Sequence, residues 1–170
     1  VVTVNEVTVI ETGGGDLYAS TASEDLTVND ISYDATTGEV VFNNVPFDGD
    51  DNVYVRNAAV TTAVQGASGT SFEVLENAAG FSNFYAVFRR SPNDYSQVGA
   101  LATDRYLSFG FGGAAVERVN GDGSLPNANE SYLFTGEYAA VRTIVDDAGN
   151  TIQYVAGTAN IQVDIEDFDE

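Results

Sequence analysis

The stretch TIQYVAGTANIQVDI, residues 151–165, decides the fold class because polar and apolar side chains alternate along it. The residues that share one face are Val155, Ala159, Ile161, Val163 and Ile165. Thr158, Asn160, Gln162 and Asp164 fall on the opposite face. Alternation with a period of two residues is typical of a β-strand that turns one face toward a core.

A second alternating stretch, SYLFTGEYAAV, occupies residues 131–141. Tyr132, Phe134 and Tyr138 share one of its faces. The intervening residues 146–150, DDAGN, are of the types that form turns between antiparallel strands. The two stretches therefore predict an antiparallel hairpin, and we expect the face with these aromatic residues to share a core with Val155, Ala159, Ile161 and Val163.

Short apolar runs separated by Gly, Asn, Asp, Ser and Thr fill the rest of the chain, and no long segment carries helical periodicity. A further hairpin is predicted from Leu26–Tyr33 and Glu39–Val45, and the run Phe84–Phe88, apolar on both faces, predicts an interior strand. Other strands are predicted at Val53–Val60, Thr70–Leu75, Phe84–Arg89 and Tyr106–Phe111. The sequence thus predicts an all-β, antiparallel protein with less than about 10% helix.

The composition excludes several classes of function. The 170 residues include 26 Asp and Glu against 6 Arg, for a net charge of −20, and His, Cys, Lys, Met and Trp are absent. So acidic a chain repels nucleic acids and anionic membranes. Without His, Cys or Lys it lacks the usual zinc ligands and the usual activated nucleophiles, so we expect no enzyme activity. No apolar run approaches the roughly 20 residues of a membrane-spanning helix.

The same composition bears on where the protein is found. A chain without cysteine fits an exported bacterial protein. The chain does not begin with Met and has no basic segment at its start, so we expect a processed chain or a fragment.

Two groups of residues are candidates for binding. Asp48, Asp50 and Asn52 place oxygen ligands at alternate positions, as Ca²⁺ loops do, and Ca²⁺ is the one cofactor that the sequence suggests. Asp, Asn and Gly are also common in solvated turns, which is the interpretation we favour. Arg89 and Arg90, with Tyr95 in the loop that follows, form a candidate rim for an acidic protein partner. The alternative, which we prefer, is that both arginines are counter-ions to carboxylates of the same chain.

The glycine cluster Phe109–Gly113 lacks the lysine and the glycine spacing of a phosphate-binding loop. Glycines that alternate with aromatic residues in a β-protein indicate a bend or a close approach of two backbones, which we predict here.

Several segments, taken in order, resemble the transferrin-binding protein B-like bacterial surface proteins, in particular the solute-binding-like members. They are Leu26–Asp34, Val45–Gly49, Gly110–Gly113 with Glu117-Arg118, Leu125-Pro126, Phe134–Ala139 with Arg142-Thr143, Gly157–Ala159, Val163–Ile165 and Asp167-Phe168. The resemblance implies a handle-like antiparallel sheet followed by β-barrel strands. It also implies an extracellular or cell-surface location, often through a lipid anchor, and binding without catalysis.

This resemblance suggests three regions: an N-terminal strand or extended arm at 1–24, a handle-like β region at 25–128 and a barrel-type hairpin at 129–170. The function expected is that of a non-enzymatic surface-displayed protein that binds a macromolecule or solute through loops and exposed sheet. The alternative is a structural subunit of an extracellular fibre, spike or surface layer, assembled from identical subunits by β-strand exchange.

The predicted hairpin alone cannot close a barrel, so we expect the barrel to be incomplete. Its free edge should be covered by residues beyond Glu170 or by a neighbouring subunit. In the second case the arm Val1–Ile10, rich in valine, is the expected donor strand.

Overall fold

A computed structural model describes residues 2–11, 16–17, 31–43, 45, 53–78, 83–103, 111–120, 131–146 and 149–164. The strands are β1 Val2–Glu11, β2 Asp16–Leu17, β3 Ile31–Tyr33, β4 Val40–Phe42, β5 Val53–Arg56, β6 Glu73–Asn77, β7 Phe84–Arg90, β8 Ser96–Thr103, β9 Phe111–Arg118, β10 Ser131–Asp146 and β11 Gly149–Asp164. One helix, α1 Ala58–Ser68, lies among these described elements. No helix among the described residues is long and apolar enough to cross a membrane.

The all-β prediction is confirmed, and the strands form two antiparallel sheets. Sheet A has the order β1-β11-β10-β2, and sheet B runs in sequence order from β3 to β9. The seven strands of sheet B, within residues 31–118, curve until they nearly close a barrel. An incomplete barrel was predicted from the hairpin at 129–170, and that hairpin belongs to sheet A. The predicted hairpins are present as β3–β4 and β10–β11.

Sheet B leaves a seam where β3 meets β9, and side chains bridge it. The Ile31 amide donates to the Glu117 carboxylate at 3.3 Å. The buried Gln97 amide group donates to the Ile31 carbonyl and, at 2.9 Å, to Glu117. These bonds satisfy backbone groups of Ile31 that a continuous strand ladder would otherwise have paired.

Strand β7 is buried on both of its faces, as the sequence predicts. Phe84, Ala86 and Phe88 point into the interior of sheet B, where the core is Ile31, Val40, Phe42, Val45, Tyr54, Leu75, Phe84, Ala86, Phe88 and Leu101. Val87 points outward into a second core, made of Val64, Phe72, Val74, Val87, Ile152, Tyr154 and Ala156. This second core joins α1, sheet A and the outer face of sheet B.

At two glycines, Gly99 of β8 and Gly112 of β9, a side chain would collide with another strand. A Cβ at Gly99 would overlap the buried Phe42 ring inside sheet B. A Cβ at Gly112 of β9 would lie 2.5 Å from the Leu101 carbonyl oxygen. The structure describes residues 111–113 of the glycine cluster. There the contact between Gly112 and the Leu101 carbonyl confirms the predicted close approach of two backbones.

The predicted strand Val53–Val60 is wrong over its second half. The strand ends at Arg56, and Asn57 caps helix α1 by accepting a hydrogen bond from the Val60 amide at 3.1 Å. Gly69 ends the helix with a φ of 70°, a conformation that glycine adopts without strain. Thr61 and Val64 are the buried residues of this helix, which covers one side of the second core.

Strand β1 pairs antiparallel with β11 over most of its length, from Val2 opposite Ile161 to Glu11 opposite Gln153. A bulge between Thr8 and Ile10 shifts the register. The expected cover for the free edge of the hairpin was residues beyond Glu170 or a neighbouring subunit that donates Val1–Ile10; instead, residues 2–11 of the same chain pair along it. The edge of β11 is covered by the same chain.

The β10–β11 hairpin has two halves with different packing. The base, residues 139–146 and 149–156, packs against sheet B and α1, and Ala139, Val141, Ile152, Tyr154 and Ala156 all contact the second core. The tip, residues 131–138 and 157–164, continues beyond this contact. Burial raises the pKa of the Tyr154 hydroxyl far above its usual range, and the charge of Glu76 adds to this rise.

The predicted core of the hairpin is correct in parity and wrong in burial. Tyr132 lies opposite Val163, and Phe134 lies opposite Ile161, so these residues share a face as expected. Val155 on that face is buried, but Phe134, Ile161 and Val163 are exposed. The difference arises because sheet B packs on the opposite side of the hairpin, where Ala139, Val141, Ile152, Tyr154 and Ala156 lie.

Candidate functional site

The predicted pair Arg89 and Arg90 lies at the end of β7, and Arg89 joins the two sheets. Its guanidinium is 2.8 Å from the Glu137 carboxylate of β10. Glu137 also accepts hydrogen bonds from the Ser71 amide at 2.7 Å and the Ser71 hydroxyl at 3.2 Å. Three donors thus hold the Glu137 carboxylate, and this arrangement positions β10.

Arg90 is paired within its own loop. Its Nε donates to the Asp94 carboxylate at 2.7 Å, and one terminal nitrogen donates to the Gln97 side-chain oxygen at 3.3 Å. The guanidinium also lies 5.5 Å from the centre of the Tyr33 ring. This geometry is that of a counter-ion with a cation–π contact.

These arginines line a half-open cleft of about 260 Å³, formed by Tyr33, Ser71, Glu73, Phe88, Arg89, Arg90 and Pro92. Tyr33 stacks on Phe88 at its floor, and Glu73 is paired with Arg56 at 3.1 Å. Tyr95 is exposed nearby but does not line the cleft. Both arginines already have carboxylate partners, so binding of an acidic partner by Arg89, Arg90 and Tyr95 stays a prediction.

The predicted Ca²⁺ ligands Asp48, Asp50 and Asn52 lie outside the described residues, and their role stays a prediction. Within the described residues, no group of three or more acidic side chains is placed to hold a metal ion.

One side of the hairpin tip carries several exposed apolar side chains. We call this side the tip face, and it carries Tyr132, Phe134, Gly136 and Tyr138 of β10 with Gly157, Ala159, Ile161 and Val163 of β11. The exposed fractions are 53% for Phe134, 42% for Ile161 and 39% for Val163. None of the residues of the tip face is charged, which is unusual in a chain with a net charge of −20.

The opposite side of the tip is polar. The Thr135 hydroxyl donates to the Asn160 side-chain oxygen at 2.8 Å across the strands, and the Gln162 amide group donates to the Ser131 hydroxyl at 3.2 Å. Leu133 is the exposed apolar residue on this side, among otherwise polar neighbours. The tip is therefore amphipathic, with a polar face and an apolar face on which Phe134, Ile161 and Val163 are exposed.

The apolar side changes between the base and the tip of the hairpin. In the base, the odd-numbered residues of β10 face the second core, as Ala139 and Val141 do. In the tip, the even-numbered residues Tyr132 and Phe134 are the aromatic ones. The sequence carries a signal of this change. In β11 the apolar residues are mainly even-numbered near Ile152 and odd-numbered near Ile161.

Comparison of the chain with protein-family models, with characterised proteins and with solved structures finds no match. The interpretation of function therefore depends on the geometry above and on the sequence.

Proposed function

We propose that this chain is a non-enzymatic, exported or surface-displayed binding protein of the transferrin-binding protein B-like type, which holds a protein partner on the tip face. Contiguous exposed apolar surface on a soluble β-sheet is typical of a site of protein–protein contact. The proposal takes the expected mode of binding, through exposed sheet, and assigns it to one side of one hairpin.

The observation that carries this proposal is the exposure of Phe134 and Ile161, which pair across β10 and β11 on an uncharged face. Aromatic and branched side chains dominate the energy of protein interfaces when a partner removes them from water. The ordered tip backbone, with β1 paired along β11, would hold these side chains in place before the partner arrives.

The sequence supports the rest of the proposal. The lack of His, Cys and Lys favours binding over catalysis. The acidic charge would keep the exposed chain soluble outside the cell despite its apolar face.

Site-specific photo-crosslinking in the cells that produce the protein tests the proposal. A photoreactive phenylalanine analogue at position 134 should form a discrete protein adduct under native conditions. The same analogue at position 133 is the matched control, because Leu133 is more exposed than Phe134, at 71% against 53%, and points to the polar side. Equal adducts from both positions, or none from either, would contradict the proposal.

A second candidate function is that of an assembly subunit joined by strand exchange, and the β1–β11 pairing favours it. A strand that covers a sheet edge in its own chain can cover the same edge in another copy. Thr3 lies opposite Asn160, so a Thr3→Cys, Asn160→Cys variant can report which copy supplies the strand.

The native chain has no cysteine, so this disulfide would be unique. Bonded dimers and polymers on a non-reducing gel would support strand exchange. Bonded monomers alone would show that β1 stays with its own chain and would contradict this candidate.

A further inference from the structure

We propose that the tip face binds a second copy of this chain, with the two copies packed face to face about a two-fold axis. This inference rests on the proposed function, because it names the protein that the tip face binds. Two features of the tip, its charge and its shape, favour a second copy, and its size sets how strong the contact can be.

The charge of the chain restricts where two copies can meet. With a net charge of −20, most pairs of surface patches bring carboxylates together, which opposes association. The described side chains of the tip face are all uncharged. The tip is thus a place where two copies can approach without opposing like charges directly.

The shape of the tip face is self-complementary. Phe134 and Ile161 form a large pair, and the next pair along the strands, Gly136 and Ala159, is small. No atom lies within 4 Å of the position that a Cβ on Gly136 would take. A two-fold axis near this level would set the Phe134 ring of each copy above Gly136 of the other, so that large residues meet small ones.

The size of the face predicts a weak dimer. Two strands of eight residues cover about 25 by 10 Å, or roughly 250 Å² on each copy. Stable complexes bury about 800 Å² on each partner, so this contact should form and separate reversibly at high micromolar concentrations. Salt should strengthen it, because screening weakens the repulsion between the acidic surfaces.

Sedimentation equilibrium of the whole purified chain tests this inference. In roughly 0.5 M NaCl, where screening is strong, we expect a monomer–dimer equilibrium. In low salt the dissociation constant of the dimer should be at least about tenfold higher. Phe134→Asp should weaken the dimer at least about tenfold, because it places a charge in the contact. Leu133→Asp, one residue away on the polar side, should leave the dimer unchanged.

Gly136→Ile provides a second variant that does not depend on adding a charge. The open space at this position should let the monomer fold normally, and urea unfolding of the monomer checks this. The larger side chain should fill the space that the Phe134 ring of the other copy occupies in the dimer. It should therefore weaken the dimer to a similar degree. Equal effects of Phe134→Asp and Leu133→Asp, or a full-strength dimer in Gly136→Ile, would overturn the inference.

The two proposals fail differently. A chain that stays monomeric at high concentration and high salt, but still crosslinks to another protein through position 134, would contradict the second copy and leave the binding face intact. A monomer without any adduct at position 134 would contradict both.

Discussion

Arg89 and Glu137 form an ion pair of 2.8 Å that connects β7 of sheet B to β10 of sheet A. Both side chains are partly buried, and Ser71 completes the hydrogen bonding of the carboxylate. The pair lies near the point where the hairpin leaves the second core and its tip begins. It is therefore placed to hold the direction in which the tip extends.

A double-mutant cycle measures this pair. We expect Arg89→Met and Glu137→Gln to be coupled by about 1 kcal/mol in urea unfolding, as for a partly solvated pair. Glu137→Ala should cost more than Arg89→Met, because it also removes the acceptor of the Ser71 amide. The more exposed pair of Arg56 and Glu73 is the control and should show weaker coupling. Additive effects at Arg89 and Glu137 would show that the pair contributes nothing.

The buried Tyr154 hydroxyl predicts alkaline instability. Its pKa is raised in the folded protein, mainly by burial, so the folded state keeps this proton at a pH where the unfolded state has lost it. The free energy of unfolding should therefore fall by about 1.4 kcal/mol for each pH unit above 10. Tyr154→Phe should be less sensitive over the same range, whereas Tyr95→Phe, at an exposed site, should behave like the wild type.

The two glycines Gly99 and Gly136 should respond in opposite ways to the same substitution. Gly99→Val should destabilise the protein by about 2 to 3 kcal/mol, because the new side chain overlaps Phe42 inside sheet B. Gly136→Val should leave the free energy of unfolding nearly unchanged, since its surroundings are open. Thermal melts of both variants at low protein concentration provide the comparison.

Aspartate scanning along β11 tests the division of the hairpin into base and tip. Ile152→Asp should cost about 3 kcal/mol or more, because Ile152 is buried in the second core and the charge would have no partner. Ile161→Asp should change stability by no more than about 0.5 kcal/mol. A large loss in Ile161→Asp would show that the tip face is covered within the monomer.

Ions provide a test of the acidic loops. We expect a chelator at constant ionic strength to leave the melting temperature unchanged, while monovalent salt raises it smoothly by screening. A chelator-dependent fall in the melting temperature would instead support a Ca²⁺ site at Asp48, Asp50 and Asn52.

Alternation and composition were enough to predict most of the strands. The run Phe84–Phe88 is apolar at every position, so a two-sided environment was the one packing consistent with it. Helix α1 was missed because the β-prone run Val53–Val55 leads directly into it. Asn57, the Val60 and Val64 spacing and Gly69 were the available signals of its start, face and end.

The candidate site was less accessible to sequence reasoning. Parity showed that Phe134 and Ile161 share a face, but it does not show whether another sheet reaches that face. The partner of Arg89 was equally hidden, because Glu137 approaches from a distant part of the chain. Such contacts depend on how the two sheets meet, which local patterns do not encode.

The seam between β3 and β9 gives sheet B a mechanical property that a sealed barrel lacks. Gln97 and Glu117 hold the Ile31 peptide groups through side chains, which can rotate while the backbone pairs from β4 to β8 stay in register. The sheet is thus a cylinder with a lengthwise slit. We expect the diameter of the sheet to change when the hydrogen bonds of this one seam break, without cooperative unfolding of the other strands.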